Sequence, residues 1–179
     1  TDDARLTMEV LKSAHRHGAL AVNYAEVVEL IHRDGKVAGA RVQDHLGGRS
    51  WEISAAKLIN AAGPWMDAVD RLDAPSAPGR LIWTKGVHCV VDARRLPVRQ
   101  AVYFDVPDGR MLFVIPREGK TYIGTTDTNY QGSLDELAMN REEMEYLLHA
   151  VNAAFPAVRL TPDDVESSWA GVRPLIRQP

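Results

Sequence analysis

The sequence predicts an α+β fold with an α/β component, built as two segments that each combine antiparallel strands with helices. Three observations carry that expectation. Short β-rich runs recur with turn dipeptides between them, from Asp34-Gly35 early in the chain to Glu118-Gly119 later. Apolar residues repeat at helical spacing near the start and again after Asn140. Between the halves, Ala74-Pro75-Ser76-Ala77-Pro78-Gly79 suits an exposed connector better than a core element, which separates residues 1–75 from residues 78–179.

In the first segment, Leu6, Val10, Leu11 and Ala14 share one helical face, Asp2 and Asp3 are available as caps and Gly18 supplies a stop, so a helix is expected from Ala4 to His17. Leu20–Tyr24 reads as a short strand. Val28–His32 and Val37–Val42 read as strands joined at Asp34-Gly35, and Trp51, Ile53 and Ala55 alternate after a turn at Gly47-Gly48, which makes an antiparallel meander. Lys57–Ala62 is an apolar run that reads as a strand entering the turn at Gly63-Pro64, with a helix from Trp65 to Leu72.

The second segment turns to longer strands: Leu81–Asp92, Ala101–Asp105, Arg110–Pro116 and Thr121–Thr126, the last two joined as a hairpin through Arg117-Glu118-Gly119-Lys120. Ser133-Leu134-Asp135-Glu136 and Asn140-Arg141-Glu142-Glu143 both resemble capping boxes, and Met144, Leu147, Leu148, Val151 and Phe155 follow on one face, in what is expected to be the longest helix. Thr161-Pro162-Asp163-Asp164 reads as a capped turn, and Val165–Ile176 as a final strand of the same sheet.

Composition narrows the function. With 179 residues, 45% of them hydrophobic and 25% charged, the chain can bury a core, which excludes disorder. Its 21 Lys and Arg against 24 Asp and Glu leave a net charge of −3 without basic clusters, which argues against nucleic acid as a partner. Cys89 is the only cysteine, so an internal disulfide or a cysteine-rich metal site is excluded, and no metal is expected. No apolar run approaches the ~18 to 20 residues that cross a bilayer.

Four stretches could carry chemistry. The turn Asn60-Ala61-Ala62-Gly63-Pro64-Trp65 sets small residues where a ligand can approach backbone, although a tight turn with proline in the first helical position explains it equally well. In Lys85-Gly86-Val87-His88, strand alternation sends Lys85 and Val87 to one face and Gly86 and His88 to the other. His88 can titrate near neutrality or serve as a hydrogen-bonded structural residue, and the adjacent glycine marks a close approach. Thr125-Thr126-Asp127-Thr128 gathers hydroxyls and a carboxylate at a strand end, or forms a simple turn there. Arg173 lies among apolar neighbours in Gly171-Val172-Arg173-Pro174-Leu175 and calls for an anion, either a ligand or an internal carboxylate.

Together with Thr1-Asp2-Asp3-Ala4-Arg5-Leu6, Asn23-Tyr24-Ala25-Glu26-Val27, Phe113-Val114-Ile115-Pro116 and Ile123-Gly124-Thr125-Thr126-Asp127, these stretches resemble, in order and spacing, the FAD-dependent glycerol-3-phosphate dehydrogenase family. That family sits within the D-amino-acid-oxidase-like flavoproteins. The resemblance spans the whole chain. It implies that residues 1–75 are part of an FAD-binding Rossmann-like domain and that residues 78–179 form most of an antiparallel substrate-side sheet. The implied reaction is oxidation of sn-glycerol 3-phosphate to dihydroxyacetone phosphate, with hydride passing to FAD and electrons going on to quinone or oxygen. By the same resemblance, Arg173 and His88 are catalytic and contact substrate, with Thr126 and Lys85 as lesser pocket candidates. Glu26 and Val27 would meet the adenine end of FAD, and Ala61, Ala62, Gly63 and Trp65 would lie along the dinucleotide. A cytoplasmic location, with peripheral contact at the bacterial inner membrane in respiratory members, is also implied.

Two features of the family have no counterpart in the 179 residues: the opening strand with its GxGxxG turn and helix, and a later glycine-rich segment over the flavin. The sequence is therefore expected to be the middle portion of such an enzyme. Two other readings stay open: a related flavoprotein acting on amines or 2-hydroxy acids, and a non-catalytic binding module. The expected behaviour of these residues alone is little affinity for FAD and no turnover. A stoichiometric yellow holoprotein that reduced a dye with glycerol 3-phosphate would overturn that expectation.

Overall fold

A computed structural model describes residues 3–177 of the chain. The described residues fall into two compact units. One takes the residues up to Ala61 together with Ala68–Ala77, and the other takes Ala62–Asp67 and everything from Pro78 onward.

In the first unit, helix α1 spans Asp3–Arg16, and Asp3 lies in its first turn. The cap expected at Asp2 lies outside the described residues. Gly18, at φ +89°, ends the helix: its N–H bonds to the His15 carbonyl, and that of Ala19 reaches back to Ala14, which is the paired closure of a left-handed C-terminal cap. Strands β1 (Ala25–Arg33), β2 (Lys36–Asp44) and β3 (Ser50–Ser54) form the expected meander as a three-stranded sheet in that order. Asp34 and Gly35 both take positive φ, 52° and 70°, as a two-residue hairpin turn requires.

Two expected strands are absent. Leu20–Tyr24 and Lys57–Ala62 are irregular, with Leu20 88%, Val22 73% and Ile59 86% exposed. Both stretches carry strand-like composition, but a strand exists only where a neighbour continues its ladder of backbone hydrogen bonds, and neither stretch joins a sheet of the described residues. The chain passes instead into a 3₁₀ turn at Gly63–Trp65 and then helix α2, Met66–Asp73.

The second unit holds the six-stranded sheet. Its strands are β4 (Leu81–Asp92), β5 (Val102–Asp105), β6 (Met111–Arg117), β7 (Lys120–Gly124), β8 (Thr128–Tyr130) and β9 (Val165–Ile176). The order runs β5-β6-β7-β4, and β9 lies along the opposite edge of β4. Glu118 and Gly119, at φ 50° and 80°, close the β6–β7 hairpin. β8 is not evident in the sequence: it resumes pairing with β4 after residues 125–127 have left the ladder.

Helix α3, Arg141–Ala154, is 14 residues long, the same as α1, so the expectation of a single longest helix is corrected to a tie. It is started by the Asn140 capping box: Asn140 accepts from the Glu143 N–H at 2.8 Å, and the Glu143 carboxylate accepts from the Asn140 N–H at 2.9 Å. The box expected at Ser133–Glu136 starts no helix, because the Ser133 hydroxyl accepts from the Asp135 N–H within a local turn. The capped turn at Thr161–Asp164 forms as a 3₁₀ turn ahead of β9.

The core lies between α3 and one face of the sheet. Val87, Cys89 and Val91 of β4, Val114 of β6 and Ile123 of β7 are fully buried against Leu147 and Val151. At about 1.5–3 kcal/mol for each buried side chain of this size, the contact is the main stabilising term of the unit. Among the described residues no helix is long and apolar enough to cross a membrane.

Glu143 has a second duty, since the oxygen that closes the capping box also accepts from Lys85 Nζ at 2.9 Å, and both side chains are nearly buried. Asn140→Ala should cost about 1 kcal/mol in urea unfolding. Glu143→Gln keeps a cap acceptor but leaves the Lys85 ammonium buried without its counter-charge, so a larger loss of about 3 kcal/mol is expected.

Candidate active site

The face of the sheet turned away from α3 gathers the candidate residues. Opposed residues in an antiparallel ladder share a face, so the register Tyr103↔Phe113, Phe113↔Gly124, Gly124↔His88, His88↔Trp169 lays these five in one row across β5, β6, β7, β4 and β9. The His88 ring stacks on Trp169 with centroids 4.6 Å apart and planes 11° from parallel, and lies 5.5 Å from Phe113. Gly124 makes that position available: a Cβ there would overlap His88 Cδ2.

The next row toward Arg173 is a pair of glycines, Gly86 opposite Gly171, and beyond it Thr84 faces Arg173. Two adjacent positions without side chains leave a gap between the histidine and the arginine. The cavity there, about 180 Å³, is lined by Gly86, His88, Trp169, Gly171, Val172 and Arg173. Arg173 folds over Gly86, where an added Cβ would sit 2.9 Å from its Nη2. Its Nη1 donates to Asp127 Oδ1 at 3.0 Å and its Nη2 to Thr125 Oγ1 at 3.3 Å.

Burial pushes the His88 pKa down to about 4, and the positive charge of Arg173 acts in the same direction. The imidazole is therefore neutral at pH 7. Its Nδ1 is buried and has no hydrogen-bond partner among the described residues. A neutral imidazole and a guanidinium facing one glycine-floored gap can bind an anionic small molecule and take a proton from it.

Of the four expected pocket residues, His88 and Arg173 are brought together, and the other two are not. Lys85 points to the opposite face, 7% exposed, with its ammonium on Glu143 and 5.8 Å from the centre of the Tyr130 ring. Thr126 is buried, and its hydroxyl bridges β4 backbone, accepting from the Val87 N–H at 3.1 Å and donating to the Lys85 carbonyl at 3.4 Å. Phe113, Trp169 and Gly171 were not singled out as pocket residues by the sequence. Alternation along β9 from Arg173 back through Gly171 to Trp169 was the available signal for two of them.

The residues expected to hold FAD have these surroundings. Glu26 and Val27 begin β1, an edge strand of its sheet, and the Glu26 carboxylate sits 2.7 Å from His45 Nε2. Ala61 belongs to the first unit, while Ala62, Gly63 and Trp65 belong to the second, where the Trp65 N–H bonds to the Ala62 carbonyl and closes the 3₁₀ turn. Gly63 takes φ +54°, and a Cβ placed on it would meet nothing within 4 Å, so its backbone lies bare.

A family model described as FAD dependent oxidoreductase matches residues 1–179. The aerobic glycerol-3-phosphate dehydrogenase of Bacillus subtilis (strain 168) is 48% identical over 178 residues, which is 99% of this chain and 32% of that protein. The protein of the same name from Staphylococcus haemolyticus is 51% identical over 178 residues, 98% of this chain and 32% of its own length. The chain thus spans about a third of the relatives it matches. Among solved structures, the glycerol-3-phosphate dehydrogenase of Bacillus halodurans complexed with FAD superposes with a TM-score of 0.94 at 54% identity, covering 99% of this chain and 36% of that one. The L-proline dehydrogenase of P. horikoshii matches with a TM-score of 0.67 at 14% identity, over 96% of this chain and 43% of that one, a likeness of fold alone.

Because the folded His88 pKa lies below the ordinary histidine value, the unfolded chain binds a proton that the folded chain refuses between about pH 6.5 and pH 4. Stability should fall as pH drops through that window, and His88→Gln should remove this part of the fall. Urea midpoints from pH 7 to pH 4 check it, and identical slopes for the two proteins would contradict it.

Proposed function

The chain belongs to the family described as FAD dependent oxidoreductase, and on that premise we propose that it forms part of the cofactor domain and most of the substrate side of an enzyme oxidising sn-glycerol 3-phosphate to dihydroxyacetone phosphate. One observation carries the reading: Arg173 and His88 face the same gap across the Gly86–Gly171 pair. The names of the relatives support it.

Arg173 would take the anionic end of the substrate in charge-assisted hydrogen bonds. His88 would accept the proton of the C2 hydroxyl as the carbon gives up its hydride. Burial first, and then the charge of Arg173, hold the His88 pKa at about 4, so the ring is neutral and has a lone pair ready for that proton. Trp169 and Phe113 flank the imidazole and hold its ring in place.

Each unit taken by itself has a feature that supports the expected FAD contacts. In the second, the bare backbone at Gly63 would admit a dinucleotide closely, and in the first, Glu26 and Val27 lie on a strand that pairs along one side only among the described residues and would offer backbone groups to a base. When bound, FAD supplies the two-electron acceptor. Quinone or oxygen as the onward acceptor, a cytoplasmic location and peripheral membrane contact belong to the same proposal, as does the division into residues 1–75 for the cofactor and 78–179 for the substrate. A second reading has its own support: a carboxylate already sits on Arg173, so an amine or 2-hydroxy acid with a carboxylate could be held there.

Assayed in the full-length protein, Arg173→Met should raise KM for glycerol 3-phosphate by about 10- to 100-fold, the loss of a charge-assisted contact. His88→Ala should lower kcat by about 100-fold or more. Turnover of glycine, sarcosine or 2-hydroxyglutarate in place of glycerol 3-phosphate would replace this reading with the second.

A further inference from the structure

Arg173 is not free before substrate arrives. Both of its recorded hydrogen bonds go to the connector between β7 and β8, to Asp127 and Thr125. That connector is shaped for the purpose. From Gly124 to Thr128 the chain advances four residues, while the opposed stretch of β4 from His88 to Lys85 advances three, so one residue is extra and the ladder opens. Thr126 turns to the β4 backbone, which leaves Thr125 and Asp127 for the guanidinium. Gly86 completes the arrangement, since a Cβ there would lie 2.6 Å from Thr125 Oγ1 and 2.9 Å from Arg173 Nη2.

We propose that Asp127 is a positioning residue for Arg173: it sets the orientation of the guanidinium and acts as the resident anion that the anionic group of the substrate displaces. The identity of that arriving anion as a phosphate rests on the glycerol 3-phosphate reading above. Three features support displacement. The Arg173 and Asp127 side chains are 42% and 57% exposed, so their attraction is screened and is given up at small cost. Of the five N–H donors of a guanidinium, two are taken, which leaves three to engage the newcomer before Asp127 lets go. Arg110 supplies Asp127 with a second cation: its pKa is raised first by the hydrogen bond from its guanidinium to Asp108 and, to a smaller degree, by the charge of Asp127.

Asp127→Asn keeps an oxygen acceptor for Nη1 and removes the competing charge, whereas Asp127→Ala removes both. In the full-length holoenzyme, Asp127→Asn should lower KM for glycerol 3-phosphate about three- to fivefold and lower the inhibition constant of sulfate in parallel, the value of one screened pair. Asp127→Ala should raise KM about fivefold above Asp127→Asn with kcat unchanged, because a guanidinium that is not held ready must be ordered as the substrate binds. An unchanged or raised KM and sulfate constant in Asp127→Asn overturns the proposal, and so does equal KM in the two variants. Should the wild type fail to oxidise glycerol 3-phosphate, the functional reading fails, but sulfate titration followed by flavin absorbance in the wild type and Asp127→Asn still decides the role of Asp127.

Discussion

Strand β4 is hydrogen-bonded along both edges, to β7 and β8 on one side and to β9 on the other, and none of its side chains can leave the face that alternation assigns. The rest of the second unit follows from that constraint. Residues 85, 87, 89 and 91 go toward α3, the last three as core and Lys85 onto Glu143, while residues 84, 86 and 88 go to the opposite face, where Gly86 and His88 line the candidate site. A shift of one residue in register would bury His88 and expose Val87, so the hydrophobic pattern that stabilises the fold also aims the histidine.

Glycines decide what the site contains. Gly124 lets the His88 ring lie across β7, Gly86 admits the Arg173 guanidinium, and Gly171 leaves the space between them open. The polar groups of the site come from β4, β9 and the connector after β7, so its geometry depends on the ladder holding these strands together. The buried Lys85–Glu143 pair ties the same strand to the start of α3 from the other side, and β4 is thus anchored by charge on one face while it presents chemistry on the other.

Most of the fold was legible where the signal is local. Asp34-Gly35 and Glu118-Gly119 adopt the positive φ that their hairpins need, the Asn140 box caps its helix, and β4 and β9 have the boundaries that their apolar runs suggest. The failures share one cause. Leu20–Tyr24 and Lys57–Ala62 look like strands but join neither sheet of the described residues, and Ser133–Glu136 looks like a cap but bonds within its own turn. In the site, alternation correctly separated Lys85 from His88, but no sequence pattern said that Thr126 would be spent on the backbone of β4.

By itself the sequence determined the alternation of β4, the glycine positions, the arginine that calls for an anion and the ordered motifs that resemble one flavoprotein family. Only the tertiary structure decided which of these meet. The pairing of β4 with β9 sets Arg173 opposite Thr84 and His88 opposite Trp169, and the extra residue after Gly124 carries Asp127 to the guanidinium. The physical reason is range. Turn chemistry, capping and side-chain period act over a few residues and are written in adjacent letters, whereas strand register and counter-ion choice join residues 46 positions apart in the chain, from Asp127 to Arg173, and exist only once the backbone hydrogen bonds between strands have formed.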